Sequence, residues 1–405
     1  MREMKDSGVR WIGKIPTKWT IAKAKNCVEI QNGSDPKTEG SIPVYGSGSM
    51  SFKTCGEYKE GPSVLIGRKG ATLHIPHYIS SKFWNVDTAF NVYSKSIFDL
   101  KYYFYCAHVF DYTLYMSQTT LPSMTQTAYE NMFLPLPTKE EQYAIANQLD
   151  QICSKIDAVL EKTRASIEEY KKLKQAVITQ AVTKGIRGDR PMKDSGIEWI
   201  GDIPAEWTAS KIKYCTEFAP SCNTSHLSED SLVTFTPMEC IKNGYFENRE
   251  AHFSALSSSY TQYQDGDIVF AKVTPCFENG NIAIMQGLSA GVGFGSSELF
   301  VIRPQSINTE FIFYYLQNDI FKQYACATMT GTGGLKRVSP TFVRNYSVFI
   351  PCNEEQLEIV RYLNEKCSGI EVLIAKKQQY LTEIENYKKS LIYEYVTGKK
   401  EVHPL

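Results

Sequence analysis

MKDSGVRWIGKIPTKW, residues 4–19, returns as MKDSGIEWIGDIPAEW at residues 192–207, with eleven of the sixteen positions identical. A match of that length at one fixed offset, 188 residues, marks an internal duplication. A repeat decides the architecture before any single element does. A second echo lies downstream: PTKEEQ at 137–142 against PCNEEQ at 351–356, at an offset of 214. That offset also carries Val182-Thr183 onto Val396-Thr397 without a gap. Each half is therefore an opening signature, a body that varies and a matching tail. The two offsets differ by 26, so the second body is longer by that many residues.

The bodies read as mixed, strand-rich folds. Gly61-Pro62 leads into Ser63-Val64-Leu65-Ile66-Gly67 and then Arg68. Gly266 leads into Asp267-Ile268-Val269-Phe270-Ala271 and then Lys272. Both are short apolar strands that end in a small residue followed by a base. YYFYCAHVF (102–110) and FIFYYLQNDIF (311–321) read as helices packed under a sheet, and Gly, Pro and Ser punctuate the rest.

The tails have a different period. Leu149, Ile152, Ile156, Val159, Thr163, Ser166, Tyr170, Leu173 and Val177 recur at spacings of three and four. At the offset of 214 stand Leu363, Lys366, Ile370, Leu373, Lys377, Tyr380, Ile384, Tyr387 and Leu391. This is a heptad seam over about four heptads. No proline falls between 140 and 185 or between 354 and 398. Helices of that length span roughly 60–65 Å. The seams turn polar at the same places, Thr163 with Lys377 and Ser166 with Tyr380, which predicts that the two helices are each other's partner. The first helix must carry the chain from one body to the other, so the second can pack along it only by running back. The expectation is an α+β architecture: two related mixed α/β bodies separated by a long antiparallel two-helix coiled coil, a dumb-bell with pseudo-two-fold symmetry. Its divisions are a first body at 1–137, a central helix at 138–185, a second body at 186–351 and a C-terminal helix at 352–405.

Composition bounds the function. The 405 residues suffice for two or three domains, and 42% apolar with 22% charged residues is ordinary for a globular protein. No apolar run is long enough to span a membrane, and the opening MREMKDSGVR lacks the apolar core of a secretory signal, so a cytoplasmic protein is expected. Eleven scattered cysteines with no C-x-x-C pair suit a reduced compartment, and His74 with His77 lacks the second pair that zinc needs. Net charge is zero but uneven. Residues 4–137 carry 14 basic and 10 acidic side chains, whereas residues 192–351 carry 11 and 16. If such a chain binds DNA, part of the affinity must come from partners. Two related readers held apart by a stiff pair of helices match the two-fold of a duplex, and differing bodies imply differing half-sites.

The signature K-D-S-G-x-x-W-I-G-x-I-P-x-x-W that opens each half resembles the start of Type I restriction-modification specificity subunits. So do the P-x-x-E-E-Q tails and the closing V-T-G-K at 396–399. PVYGS (43–47), GPSVLIGRKG (61–70), FAKVTPCFENG (270–280) and GFGSSE (293–298) are similar to segments of that family's target recognition domains. The resemblance covers essentially the whole chain. It implies that the two bodies are target recognition domains that bind a bipartite, asymmetric stretch of double-stranded DNA. It implies further that the helices hold two methyltransferase subunits, which methylate adenine with S-adenosylmethionine, and that restriction subunits driven by ATP and Mg join for cleavage. No cofactor is expected in this chain itself. One departure is Gly70-Ala71-Thr72-Leu73-His74, where the family pattern continues with small, glycine-rich residues.

Candidate DNA contacts follow from residue chemistry. Arg68 and Lys69 stand between Gly67 and Gly70 at a strand end, where backbone can approach phosphate and Arg can bracket guanine. Lys272, followed by Thr274, is the counterpart. Gly331-Thr332-Gly333-Gly334-Leu335-Lys336-Arg337 is a basic loop ahead of a short helix starting near Ser339-Pro340, which makes Gly333, Lys336 and Arg337 candidates for phosphate. The first-body equivalent, Thr119 to Gln126, offers Ser123, Thr125 and the amide of Gln126, which suits adenine. Trp11, Trp19, Trp199 and Trp207 sit in the shared signature and are expected to be packing anchors. Glu140, Glu141, Glu354 and Glu355, at the helix starts, are candidates for partner docking.

Nothing in the chain reads as catalytic. There is no Asn- or Asp-Pro-Pro-aromatic motif for amino-methylation and no phosphate-binding G-x-x-x-x-G-K-[ST]. Glu57-Tyr58-Lys59 has the form of a nuclease half-motif but is common by chance. The competing class is a coiled-coil adaptor whose bodies bind proteins, which the neutral charge and acidic second body favour. A partner-independent operator-binding regulator is a third possibility, separated from the others by a footprint of the purified chain alone.

Overall fold

The computed structural model describes residues 2–117, 122–198, 200–256, 259–331 and 334–402. It divides into two compact units, Met1–Ala165 with Lys377–Leu405, and Ser166–Lys376. Each unit contains one body and a share of both long helices, Lys139–Lys184 (46 residues) and Asn353–Val396 (44 residues).

In the first unit a four-stranded antiparallel sheet has the order Val28–Asn32, Ala89–Ser94, Ser63–Gly67, His77–Ile79. Its central strand Ser63–Gly67 is buried throughout, as a continuous apolar run demands. A smaller sheet joins Ser51–Cys55 to Ile42–Tyr45, which pairs in parallel with Trp84–Asn85. Helix Leu100–Ala107 packs on the main sheet and is capped by the Asp99 side chain, which accepts from the Tyr102 amide.

The second unit repeats the plan. Its main sheet runs Thr216–Phe218, Leu299–Pro304, Ile268–Ala271, Ile282–Ile284. Its other sheet runs Glu250–His252, Leu232–Thr236, Val292–Gly295, Thr261–Gln264. The stretch 311–321, expected as one helix, lies in two: Thr309–Gln317 and Asp319–Ala327. Asn318 is extended between them, and its side chain accepts from the Phe321 amide to start the second.

The opening signature has a structural meaning in both units. Met4–Asp6 pairs with Lys14–Pro16, and Met192–Asp194 with Asp202–Pro204. The Asp6 carboxylate accepts from the Gly8 amide at 3.0 Å, and Asp194 from Gly196 at 2.9 Å. Both glycines have φ +71°, which explains Asp-Ser-Gly at that turn. Trp11, Trp19 and Trp207 are buried, as packing anchors should be; Trp199 lies outside the described residues.

The P-x-x-E-E-Q motif ties each long helix to its body. Gln142 Nε2 donates to Pro137 O at 3.1 Å while its Oε1 accepts from the Asp99 amide at 2.7 Å. Gln356 does the same with Pro351 O (3.0 Å) and the Asn308 amide (2.8 Å). The preceding glutamate accepts from a buried indole: Trp19 Nε1 reaches Glu141 at 3.1 Å, and Trp207 Nε1 reaches Glu355 at 3.2 Å. An arginine completes each set, Arg2 at 3.3 Å from Glu141 and Arg190 at 2.6 Å from Glu355. Glu141 and Glu355 are thus engaged inside their units, and only Glu140 and Glu354 of the four candidates for docking stay exposed without such a role.

Within each unit the two long helices run antiparallel. Asp157 meets Lys388 at 2.6 Å and Arg164 meets Glu385 at 2.5 Å in the first unit. Lys174 meets Glu371 at 2.6 Å and Arg187 meets Glu358 at 2.8 Å in the second. The heptad period is as expected, but every second seam position falls one residue later. Leu160, Ile167 and Lys174 take the places expected for Val159, Ser166 and Leu173. Cys367, Ile374, Leu381 and Lys388 replace Lys366, Leu373, Tyr380 and Tyr387. Val159, Leu173, Leu373, Tyr380 and Tyr387 are instead exposed. Lysine enters the seam because its stem packs against apolar neighbours while its ammonium pairs with a carboxylate on the other helix.

His108, at the end of helix Leu100–Ala107, stacks edge-on against Phe104 at 4.6 Å. Burial, reinforced by the charge of Lys388 and opposed by Asp157, lowers its pKa to about 4. Between about pH 6.5 and 4 the unfolded chain takes up a proton that the native ring refuses, so stability falls as pH drops through that window. His108→Phe is expected to remove about 2–3 kcal/mol of that acid sensitivity, read from urea unfolding at pH 7 and pH 4.5. An unchanged pH slope in the variant would rule out His108 as its source.

Candidate nucleic-acid interface

The residues singled out in separate stretches of sequence converge at the same end of each main sheet. In the first body the chain leaves strand Ser63–Gly67 at Arg68. The Arg68 and Lys69 amides both donate to Thr88 O, at 2.8 and 3.3 Å. The loop then meets the second predicted segment: the Met124 amide donates to Arg68 O (2.9 Å) and the Gly70 amide to Pro122 O (3.0 Å). In the second body the Lys272 amide donates to Glu298 O (3.1 Å), the Val338 amide to Lys272 O (2.9 Å) and the Thr274 amide to Lys336 O (3.0 Å). Strand registers make Gly67 equivalent to Ala271 and Phe90 to Phe300. Each cation lies over the equivalent ring: Arg68 is 5.8 Å from the Phe90 centroid and Lys272 is 5.6 Å from the Phe300 centroid. That contact orients a long side chain that would otherwise roam.

Gly67 is required by packing. A Cβ there would stand 2.2 Å from the Leu73 Cα. The departing segment 70–74 folds back at this point and inserts Leu73 into the core.

The candidate residues differ in what they have free. Lys69 is exposed and 4.0 Å from Asp87. The Ser123 hydroxyl lies 2.8 Å from that of Ser117. Thr125 caps helix Gln126–Asn131 by accepting from the Ala128 amide. Gln126 is engaged at both ends of its amide: Nε2 donates to Ile30 O (3.0 Å) and Glu130 (2.8 Å), and Oε1 accepts from Asn32 (3.0 Å). Reading adenine through both ends of that amide would require those bonds to open. The Thr274 hydroxyl donates to Gly334 O (3.1 Å) and accepts from the Lys336 amide (3.0 Å), which stitches the two loops together. Arg337 is held by Glu298 at 2.6 Å, a pairing that also lowers the pKa of Glu298. Lys336 is exposed, and its ammonium enters no ion pair among the described residues. Gly333, with Thr119, Thr120, Leu121 and Thr332, lies outside the described residues.

Sequence reasoning missed one polar cluster. Lys59 Nζ donates to Asn91 (2.6 Å), Asn85 (2.8 Å) and Asn32 O (3.1 Å), and burial lowers its pKa to about 8. Isolated asparagines give no periodic signal, so nothing flagged them. Glu57, the other half of the E-x-K triplet, accepts instead from the Thr38 hydroxyl and the Lys37 amide, at 2.7 Å each, which lowers its pKa to about 2. Their polar partners differ, so each has a local structural use. Among the described residues no three His, Cys, Asp or Glu side chains form a group able to hold a metal ion, and no helix is long and apolar enough to cross a membrane.

Two homologous bodies, each with a cation-bearing loop stitched to a second loop at one end of its sheet, and each tied to a pair of antiparallel helices, define a tandem recognition protein. The chain belongs to the family of Type I restriction modification DNA specificity domains, whose model matches residues 16–169 and 220–383. The specificity subunit of the Escherichia coli Type I restriction enzyme EcoEI is 32% identical over 189 residues, 45% of this chain. That match spans 32% of the relative's own length. The EcoDI specificity subunit, also from Escherichia coli, is 21% identical over 96% of this chain and 90% of that relative. A chain from a structure of complex assembly and conformational transition in the type I R-M system shares the fold over 95% of this chain and 99% of its own length. Its TM-score is 0.70 at 12% identity.

Proposed function

We propose that this chain is the DNA-reading subunit of a Type I restriction-modification complex. Its two bodies bind the halves of one bipartite, asymmetric duplex target, and the chemistry belongs to partners: methyltransferase subunits that use S-adenosylmethionine on adenine, and restriction subunits that use ATP and Mg. One observation carries this reading. The same loop apparatus occurs twice, yet equivalent positions hold different side chains: Arg68 against Lys272, Lys69 against Val273, Ser123 against Arg337. A common frame with unlike contacts is what two different half-sites require. The candidate contacts are Arg68, Lys69, Ser123, Lys272, Thr274 and Lys336, with Thr125, Gln126 and Arg337 held in internal bonds and Gly333 beside them in sequence.

The helices supply the argument for two copies of one partner. Tyr143, Val159 and Leu173 are exposed, and so are Leu357, Leu373 and Tyr387, which lie 214 residues further on. Each unit therefore offers an equivalent set: Tyr143, Val159 and Tyr387 in one, Leu357, Leu373 and Leu173 in the other. Matched apolar sets suit two methyltransferase subunits, whose own charge would supply DNA affinity that this neutral chain lacks.

Single-molecule methylation sequencing of genomic DNA, from otherwise identical cells with the gene intact and deleted, tests the function. Deletion is expected to erase one bipartite, asymmetric adenine-methylated motif. An unchanged methylome in cells that express the methyltransferase partner would contradict the proposal.

A further inference from the structure

In each body the second sheet contains one equivalent connection. Strand Ile42–Tyr45 pairs antiparallel with Ser51–Cys55, through residues 46–50, and in parallel with Trp84–Asn85. Strand Leu232–Thr236 pairs antiparallel with Glu250–His252, through residues 237–249, and in parallel with Val292–Gly295. Both connections lean on the loop that carries the candidate DNA contacts. The Ser47 hydroxyl lies 3.2 Å from that of Thr72, four residues beyond Arg68. The Ile282 amide donates to Lys242 O (3.0 Å) and the Gly244 amide to Ile282 O (2.9 Å), at the far end of the loop that begins with Lys272.

Each connection carries a large apolar side chain that its body does not cover. Met50 is 82% exposed, with Phe52 beside it and Lys53 5.6 Å from the Phe52 ring. Tyr245 is 59% exposed. A single exposed apolar residue means little by itself. Here the feature recurs at the same place in the topology, against the same loop, while its length and side chain differ between the halves. Packing of the body leaves these two side chains uncovered, and contact with two unlike half-sites would account for their recurrence and for their difference.

We propose that these connections are apolar prongs that press into the base stack of duplex DNA, Met50 in the first half-site and Tyr245 in the second, each unstacking one base step. Aliphatic side chains open base steps as wedges, and aromatic ones stack on the exposed base. Lys53 stands three residues from Met50 and would meet phosphate there, whereas Lys242 lies 3.5 Å from Glu247 and would have to leave it to do the same. Specificity then includes the ease with which a step opens, a property read without hydrogen bonds. This inference rests on the DNA-reading function proposed above.

The test uses the full chain reconstituted with its methyltransferase partner, and a duplex bearing the motif found by methylation sequencing. 2-Aminopurine is placed in turn at each position of both half-sites except the methylated adenines, which a methyltransferase flips out of the stack by itself. Its fluorescence is expected to rise several-fold at one step in each half when the complex binds. Met50→Ala should abolish only the first rise and Tyr245→Ala only the second, each weakening binding about tenfold. Met50→Leu and Tyr245→Phe keep the apolar bulk and should keep the rise. Binding by the wild-type complex with no rise at any step, or rises that survive both alanine variants, overturns the prongs and leaves the DNA-reading function standing. A wild-type complex that binds no such duplex removes the function and the prongs together.

Discussion

Glu355→Ala is expected to destabilise its unit by about 3–5 kcal/mol, whereas Glu141→Ala, the same change at the equivalent position, costs about 1–2 kcal/mol. The difference is one of burial. The Glu355 side chain is 1% exposed and its partner Arg190 is nearly as covered. Arg190 Nε is already buried without a hydrogen-bond partner, so the guanidinium depends on Glu355, on the more exposed Glu206 at 3.2 Å and on Lys184 O at 2.9 Å. Removing the carboxylate strands a buried charge and also leaves the Trp207 indole unpaired. Glu141 is 33% exposed and Arg2 is similarly open. Water can replace that ion pair and the exposed bond from the Thr138 amide, so the part-buried Trp19 indole bond is the main loss. Urea unfolding of each variant, followed through tryptophan fluorescence, measures both costs. Equal losses would show that burial is not what distinguishes the two sites.

Arg68→Ala combined with Lys272→Ala is expected to abolish methylation of the motif, with the single variants each relaxing one half of it. A cation that reads a base edge discriminates by about 1–3 kcal/mol, and separate positions add roughly, so the pair costs about 2–6 kcal/mol. Both side chains lie over a phenylalanine ring at a strand end, so little conformational freedom is lost when they meet DNA. Lys336 makes a useful contrast. Its ammonium is exposed, and with phosphate as its proposed contact, Lys336→Ala should weaken binding to all sequences alike and reduce the slope of log affinity against log salt by about 1. Methylation sequencing of the single variants, with binding measured at several salt concentrations, separates base reading from phosphate contact. Relaxation of the second half-site by Arg68→Ala would refute the assignment.

The repeat was legible because it is written in residues whose roles are local and strict. Asp-Ser-Gly makes a turn with positive φ, and Gln142 and Gln356 each bridge a proline carbonyl and a helix start, so both copies of each motif stayed alike. The helices were legible for length and period, but their seam was misjudged by one residue at every second position. The cause is chemical: Val159, Leu373 and Tyr387 look like seam residues and face out, whereas Lys174 and Lys388 look like surface residues and face in, each paired across to Glu371 or Asp157. Hydropathy cannot see a partner carboxylate on another segment. The same blindness hid the Lys59 cluster and the internal bonds of Gln126, because both depend on residues brought together from distant strands. Adjacency of the loops after Gly67 and before Thr125 was likewise invisible until the sheet order was known.

The paired locks at the helix ends bear on how such a gene changes over time. Lys184 Nζ donates to Ile200 O at 2.6 Å, and in the other unit Lys399 Nζ donates to Ile12 O at 3.4 Å, on residues 188 apart. Arg190 and Arg2 likewise serve equivalent glutamates at the same offset. Each body is thus fastened by matching contacts between residues of the shared flanks, and the variable interior contributes backbone groups, the Asp99 or Asn308 amide, to the glutamine of the tail. Recombination between related genes, with crossover points in those flanks, would exchange one cartridge intact and leave its fastening complete. New combinations of half-sites can then arise in a single genetic event, without a destabilised intermediate for selection to remove.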